Sequence, residues 1–260
     1  MKTILSAVLL CIFANFNSYA QSQTGNVVLI EEFTETGCGA CSQYDSAFQA
    51  LTNFNADKVT VLNYHCFYQL DTFYTYNRSC DSRYSFYQIT DGYPTVMVNG
   101  KRPGGGKSAH MARVNQQVIN TTYNVPTQFK LEISTETVDK NNPHSISIKV
   151  KATSLMNNPS KNLKVFVAVT ENNINYLERY HSKTPNGIDK FNHIIRAMLP
   201  DTGATAIGVQ KIGKVNQIKV SYTNDDKAID FKEVRLVAFV QDMNTREILG
   251  TVVTTENPFK

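Results

Sequence analysis

The sequence predicts a two-part protein in which an α/β domain is followed by an all-β sandwich. Strand-like and helix-like patterns alternate in the first half, whereas short strand-like runs separated by Asn, Pro and Gly clusters fill the second. Val125-Pro126 is the expected junction, because an X-Pro step disfavours helix and ends the preceding element. With 260 residues, 42% of them hydrophobic, the chain is long enough to form two cores.

Composition excludes several classes of protein. The chain carries 26 basic and 22 acidic residues, which gives a formal charge of only +4, and both signs are scattered along it. Neither nucleic acid nor an anionic membrane surface is therefore indicated by overall charge. The hydrophobic content also excludes a disordered or collagen-like chain.

The first twenty residues have the pattern of an export signal. Lys2 precedes an apolar run at residues 4–14, and residues 18–20 (SYA) place small side chains where a signal peptidase reads them. The run is about half the length of the roughly twenty residues that a membrane-spanning helix needs. We expect cleavage after Ala20, which removes Cys11 and leaves a mature chain with four cysteines and no transmembrane span. An even number of cysteines fits an oxidising compartment.

In the first domain, expected over residues 21–125, three strands and two helices are predicted. The predicted strands cover residues 27–33, 58–64 and 95–98. Cys41, Tyr44 and Phe48 recur at helical spacing after the first strand. Asn99-Gly100 predicts a tight turn, since both residue types tolerate positive φ. Ser108 is the expected cap of the last helix.

The second domain, residues 126–260, is predicted to be an immunoglobulin-like sandwich. Its short strands with intervening turn signals are typical of such folds. A short helix is expected at residues 191–198. The predicted strands cover residues 129–135, 145–152, 163–170, 215–222, 234–241 and 248–254.

The candidate chemistry lies at Cys38-Gly39-Ala40-Cys41, which follows a hydrophobic strand and opens a helix. This spacing places both sulfurs within one helical turn. Cys38 would lie at the helix N-terminus, where free N–H groups and the helix dipole favour a thiolate. Cys41 would be less accessible. The pattern therefore suggests Cys38 as the attacking nucleophile and Cys41 as the resolving thiol.

Other interpretations of these cysteines remain open. A zinc site would need two further ligands, which His65, Cys66 or Cys80 could supply, although export disfavours reduced thiolates. A purely structural Cys38–Cys41 disulfide or an inactive site is the more serious alternative.

Residues 27–124 resemble a thioredoxin-fold domain, through VVLIEEF, then CGAC, then Tyr93-Pro94-Thr95 entering a strand. The resemblance implies that Pro94 is the cis proline that packs against the active-site cysteines. It also implies that Glu32, six residues before Cys38, is the buried acid that helps to move the resolving cysteine's proton. Gly37 and Ala40 depart from the family pattern, and the chain has no tryptophan to form the usual substrate-facing platform.

Cys66 and Cys80 fall in an aromatic-rich insertion at about residues 65–91. A structural disulfide between them would staple this insertion and stabilise the fold by about 3 kcal/mol. A second redox pair that shuttles electrons to Cys38 and Cys41 is the alternative. The neighbouring aromatic side chains would either pack into a core or line a peptide-binding surface.

The whole chain is similar to the outer-membrane-protein-28-related family of exported bacterial proteins, through VFVAVTENNINY, FNHIIRAMLP and VRLVAFVQD. This resemblance implies a periplasmic, outer-membrane or cell-surface location, with peripheral membrane association.

Two functions follow as hypotheses. One is an oxidoreductase that exchanges disulfides with protein thiols of the cell envelope, with Cys38, Cys41, Pro94 and Glu32 at its site. The other is a non-catalytic surface binding protein. Neither needs a cofactor or a nucleic acid partner.

Overall fold

The computed structural model describes residues 26–67, 70–139, 142–200, 203–224 and 226–259. The expected export signal at residues 1–20, with Cys11, lies outside these residues. The protein is mixed α/β, with several sheets and short helices.

The regular elements of the first half alternate between strand and helix. They are β1 (Val28–Thr34), α1 (Gly39–Phe54), β2 (Val59–His65), α2 (Thr72–Tyr76), α3 (Ser79–Tyr87), β3 (Thr95–Val98) and α4 (Gln116–Tyr123).

Among the described residues after Pro126, the regular elements are strands apart from one α-helix and one short 3-10 helix. The elements are β4 (Phe129–Asp139), β5 (Asn142–Ser154), β6 (Leu163–Glu171), β7 (Ile174–Asn175), α5 (Tyr176–Tyr180), β8 (Lys190–Phe191), β9 (Ile194–Leu199), β10 (Thr205–Ala206), β11 (Val215–Thr223), β12 (Val234–Asp242) and β13 (Ile248–Val253).

One large sheet runs through both halves of the chain. Its strand order is β13-β12-β6-β9-β2-β1-β3, with β10 also paired to β6. β1 and β2 are parallel, and β3 is antiparallel to β1. The link between the halves is β9, which pairs with β2 on one side and with β6 on the other. Strands from before and after Val125-Pro126 therefore share a backbone hydrogen-bond network.

A second sheet, of order β11-β5-β4, covers the C-terminal strands of the large one. Ile133, Ile148 and Val220 pack with Val167 and Leu236 in a buried cluster between these two layers. Alternation of apolar and polar residues along β11 places one face on this cluster and the other in solvent.

Opposite faces of the first three strands belong to different cores. Ile30 and Val61 face α1, where they pack with Phe48. Leu29 and Leu62 belong to a cluster that also contains C-terminal residues such as Phe239. The period of two along a strand produces this division.

Two local predictions were wrong. Residues 191–198 form no helix, because Ile194–Leu199 is the strand β9, and pairing with β6 overrides the helix-like spacing of its apolar residues. Ser108 does not cap α4; its Oγ accepts from the His110 N–H, and Asn115 is the cap, accepting from the Val118 N–H at 3.0 Å.

The turn at Asn99-Gly100 is confirmed. Both residues have positive φ, 44° and 77°, and Val98 and Lys101 exchange backbone hydrogen bonds across it. The carbonyl oxygen of Arg246 lies where a Cβ on Gly100 would stand, so glycine also permits the close approach of the C-terminal half.

Candidate functional site

Cys38 and Cys41 form a disulfide at the N-terminus of α1, with their Cα atoms 5.3 Å apart. Cys38 is the N-cap of the helix, and its Sγ accepts from the Cys41 N–H at 3.0 Å. Cys38 is partly exposed, whereas Cys41 is only 3% exposed. Cys38 is therefore the accessible residue of the pair, and Cys41 is the buried one.

The loop before Cys38 is held by a residue of the C-terminal half. The backbone N–H of Asn186 donates to the Thr36 carbonyl at 3.0 Å, and its Nδ2 donates to the Glu35 carbonyl at 3.2 Å. The Cys38 N–H donates to that same Glu35 carbonyl. The segment between α5 and β8 thus fixes the approach to the cysteine pair.

Asp71 fastens the other side of this loop. Its carboxylate accepts from the Thr36 N–H at 2.7 Å, from two N–H groups at the start of α2, and contacts His65 Nδ1 at 2.6 Å. Burial acts to raise the pKa of Asp71, but His65 and the backbone N–H groups outweigh it, so the pKa is lowered.

Pro94 is buried, and the Tyr93–Pro94 peptide bond is cis. Thr95 is the register partner of Phe33, so Pro94 lies beside the C-terminal end of β1, from which the cysteine loop departs. The Pro94 carbonyl accepts from the Met111 N–H at 3.2 Å, which anchors this turn to the segment before α4.

Glu32 lies on the face of β1 that packs against α1. Burial, reinforced by the negative charge of Asp45, raises the pKa of Glu32 from 4.5 to about 8. Glu32 lines a small pocket with Asp45, Phe48 and Gln49 of α1, and Asp45 lies one helical turn after Cys41. The Glu32 carboxyl group holds a proton at neutral pH.

Cys66 and Cys80 form a second disulfide, buried and with Cα atoms 5.4 Å apart. It joins the end of β2 to α3. The aromatic insertion is largely helical, because α2 and α3 lie within it. Phe67 and Tyr84, which lie close to these cysteines in sequence, have ring centroids 5.5 Å apart. Tyr84 in turn lies 5.7 Å from the ring of Tyr93, next to Pro94.

These three rings form an aromatic strip, defined as Phe67, Tyr84 and Tyr93, that ends at the cis proline. Phe67 is exposed, and the two tyrosines are partly exposed. The strip thus offers apolar surface to a ligand, unlike Tyr64 and Phe73 of the same region, which are core residues.

A buried ion pair lies behind the insertion. Arg83 of α3 donates to both carboxylate oxygens of Glu31, at 2.6 and 2.8 Å, and to Gln241 of β12 at 2.8 Å. Tyr87 also donates to Glu31. This network joins the insertion to both halves of the large sheet.

Sequence reasoning did not find Asn186, Asp71 or Arg83. In the sequence, Asn186-Gly187 indicates only a turn, and Asp71 is a helix cap. Their hydrogen bonds to Glu35 and Thr36 are what place them at the site. Among the described residues, no group of three or more His, Cys, Asp or Glu is arranged to hold a metal ion.

Residues 81–256 match the family described as outer membrane protein Omp28. The chain belongs to the Omp28 family. Omp28 membership means that the protein is exported and is associated with the outer membrane or the cell surface. The matched range begins after Cys38 and Cys41, so the family match does not include that pair. No helix in the described ranges is both long and apolar enough to cross a bilayer.

Solved structures extend the comparison to the rest of this Omp28-family chain. HBP35 of Porphyromonas gingivalis aligns with a TM-score of 0.69 and 16% identity, over 90% of this chain and 77% of its own. A protein from Agrobacterium tumefaciens aligns with a TM-score of 0.55 and 14% identity, over 88% and 94%. These likenesses concern the fold. No curated protein sequence matches.

Proposed function

We propose that this Omp28-family protein exchanges disulfides with protein thiols of the cell envelope. The observation that carries the proposal is the asymmetric Cys38–Cys41 disulfide, with a partly exposed cysteine at a helix N-terminus and a buried partner one turn inside. Helix N-termini stabilise a thiolate, and the Cys41 N–H already points at the Cys38 sulfur.

The architecture around the pair supports the same proposal. We place a thioredoxin-like domain at residues 21–125, followed by a β-sandwich at residues 126–260. A parallel pair of strands, an antiparallel β3 and a helix that starts at the CxxC motif resemble the thioredoxin arrangement. The cis proline stands where that family has one.

In the proposed exchange, a substrate thiolate attacks Cys38 Sγ. A bond forms between these two sulfurs while the Cys38–Cys41 bond breaks, and its electron pair goes to the Cys41 sulfur. Cys41 then takes the proton held by Glu32. A second substrate thiolate attacks the substrate sulfur of the mixed disulfide, and Cys38 leaves as a thiolate. Two electrons pass from the substrate dithiol to the cysteine pair. The same steps taken in reverse would reduce a substrate disulfide, with Cys38 as the attacking thiolate.

We further propose that the aromatic strip docks the substrate. The chain has no tryptophan, and the exposed ring of Phe67, followed by Tyr84 and Tyr93, offers an apolar surface that ends at Pro94. An extended peptide lying on it would present a neighbouring cysteine to Cys38. The Cys66–Cys80 disulfide then has a structural role, because it holds the strip together.

The test uses the mature chain carrying Cys41→Ser, in which a mixed disulfide cannot be resolved. Incubation with a protein disulfide such as insulin should leave a covalent adduct on Cys38 that reducing agent releases. Cys38→Ser is the control for the attacking sulfur, and the double variant Cys66→Ser, Cys80→Ser should still form the adduct.

If the wild type neither reduces insulin nor oxidises a reduced protein, and Cys41→Ser traps nothing, the exchange proposal is wrong. The pair would then be a structural disulfide in a surface binding protein.

A further inference from the structure

Two adjoining loops at one end of the sandwich form an apolar, lysine-bearing surface, here named the sandwich tip. It consists of residues 154–162, between β5 and β6, and residues 207–215, which lead into β11. Five of the eleven exposed large hydrophobic side chains in the described residues lie here: Leu155 at 42%, Met156 at 37%, Val209 at 45%, Ile212 at 68% and Val215 at 46% exposed. Isolated exposed apolar residues are normal, but such a concentration marks an interaction site.

Backbone hydrogen bonds hold the two loops together. Ser154 exchanges them with Gly213 and Lys214, at 2.8 and 2.9 Å, and Asn158 exchanges them with Gln210 at 3.0 and 2.9 Å. Because the loops are fixed by these pairs, the exposed side chains could not turn inward without breaking them. The apolar surface is therefore a property of the folded loops.

Charge is also unusual at the tip. Its two loops contain three lysines, Lys161, Lys211 and Lys214, and no acidic residue, although basic and acidic residues nearly balance over the whole chain. Lys149 and Lys151, further along β5, pair with glutamates of β4. In contrast, Lys161, Lys211 and Lys214 of the tip have no acidic partner among the described residues.

We propose that the sandwich tip inserts into an anionic phospholipid surface. Leu155, Met156 and Ile212 would enter the boundary between headgroups and acyl chains, and the lysines beside them would contact phosphate groups. Exposed apolar side chains on the same loops as lysines that lack an acidic partner match both layers of such a surface, the hydrocarbon and the phosphate groups. A protein partner would instead need acidic groups placed opposite these lysines.

Phospholipid fits better than lipopolysaccharide for a steric reason. Leucine, methionine and isoleucine side chains are short, so they reach acyl chains only beneath a small headgroup. A polysaccharide headgroup would keep them away from the hydrocarbon. This inference is independent of the cysteine chemistry and agrees with the location of the family at the outer membrane.

The experiment measures binding of the mature chain, produced without lipid modification, to vesicles by co-sedimentation. Wild type should bind vesicles of phosphatidylcholine that contain roughly 30% phosphatidylglycerol. Because the lysines favour anionic lipid, this binding should be at least about tenfold stronger than binding to vesicles of phosphatidylcholine alone. Ile212→Asp should lower the partition coefficient by roughly tenfold, and Lys211→Glu with Lys214→Glu by a similar factor.

Matched controls come from other surfaces of the same chain. Phe54→Asp changes an apolar residue that is 79% exposed at the end of α1, and Lys183→Glu with Lys190→Glu reverses two exposed lysines outside the tip. Both should bind vesicles like wild type. Far-ultraviolet circular dichroism of every variant checks that the fold is retained.

Four results would overturn the proposal. The first is the absence of vesicle binding, and the second is binding that the tip substitutions leave unchanged. The third is stronger binding to vesicles doped with lipopolysaccharide than to those with phosphatidylglycerol. The fourth is a lipid-free wild type that sediments as an oligomer which Ile212→Asp dissociates, since a second copy of the chain would then cover the tip.

Discussion

Glu31 and Glu32 are consecutive residues of β1, yet their carboxyl groups face opposite sides of the sheet and meet opposite electrostatic surroundings. Glu31 is fully buried and bonded to the Arg83 guanidinium. Glu32 faces α1, where Asp45 is a like charge, and its pKa rises to about 8. Because successive side chains of a strand point to opposite faces, the Glu31 carboxylate is held in an ion pair, whereas the neighbouring Glu32 carboxyl group keeps its proton at neutral pH.

Glu32→Gln is expected to change how stability depends on pH. The carboxyl group has a pKa of about 8 in the folded protein and 4.5 as its ordinary value, so the unfolded state gains by ionising between these values. The contribution of Glu32 to stability therefore falls as pH rises from 4.5 to 8, and the variant lacks this loss. The variant should gain, relative to wild type, on the order of 4 kcal/mol across that window.

Denaturant unfolding at several pH values, with both disulfides intact, measures this difference. Glu136→Gln is the control, since its carboxylate is exposed beside Lys149 and its pKa is lowered. Parallel stability profiles for wild type and Glu32→Gln would contradict the role of Glu32 as a proton carrier.

Arg83→Ala is expected to destabilise the protein by about 3–5 kcal/mol, because it leaves the Glu31 carboxylate buried without its cation. Adding Glu31→Gln should recover part of that loss, since the uncompensated charge disappears. Equilibrium unfolding in urea measures Arg83→Ala, Glu31→Gln and the double variant. Strict additivity of the two single effects would show that the groups are not coupled.

Phe67→Ala tests the aromatic strip. We expect a roughly fivefold higher KM for a protein disulfide, since one exposed ring contact is lost, with little change in the rate for a small disulfide such as oxidised glutathione. Phe54→Ala, which removes an exposed ring at the far end of α1, is the matched control. Equal effects on large and small substrates would mean that the strip does not dock protein.

Asn186→Ala tests the contact between the C-terminal half and the cysteine loop. It removes the Nδ2 bond to the Glu35 carbonyl, worth about 1 kcal/mol, and also the bond that the Ile188 N–H makes to its Oδ1. We expect a several-fold faster alkylation of reduced Cys38 and a shifted equilibrium with glutathione. Asn244→Ala, which loses a bond to Asn162 elsewhere, should leave both unchanged. An unaltered equilibrium in Asn186→Ala would show that this residue does not position the site.

Most strands were predictable from sequence, because their patterning is local. β3 has the predicted bounds, and β6 and β12 each extend only one residue beyond theirs. The prediction of a helix at residues 191–198 was wrong. The apolar residues there follow helical spacing, but the segment forms β9 because it pairs with β6, which is distant in sequence and leaves no local signal.

The candidate site was only partly predictable for the same reason. The CxxC motif and the Asn99-Gly100 turn are local signals. The contacts of Asn186 with Glu35 and of Arg83 with Glu31 join residues far apart in sequence, and no local pattern encodes such pairs. Arginine and glutamate also favour the surface by composition, so their burial can be inferred only from the partners that compensate it.

The pairing of β2 with β9 limits how this protein can be divided. A fragment ending near residue 125 would carry the cysteine motif but would leave the edge of β2 open and Leu62 without its C-terminal neighbours. Such a fragment would be prone to aggregate. In evolutionary terms, the segment that carries the cysteine motif is not a self-contained module, because its sheet is completed by a strand that begins at Ile194, about 130 residues after β2 ends at His65.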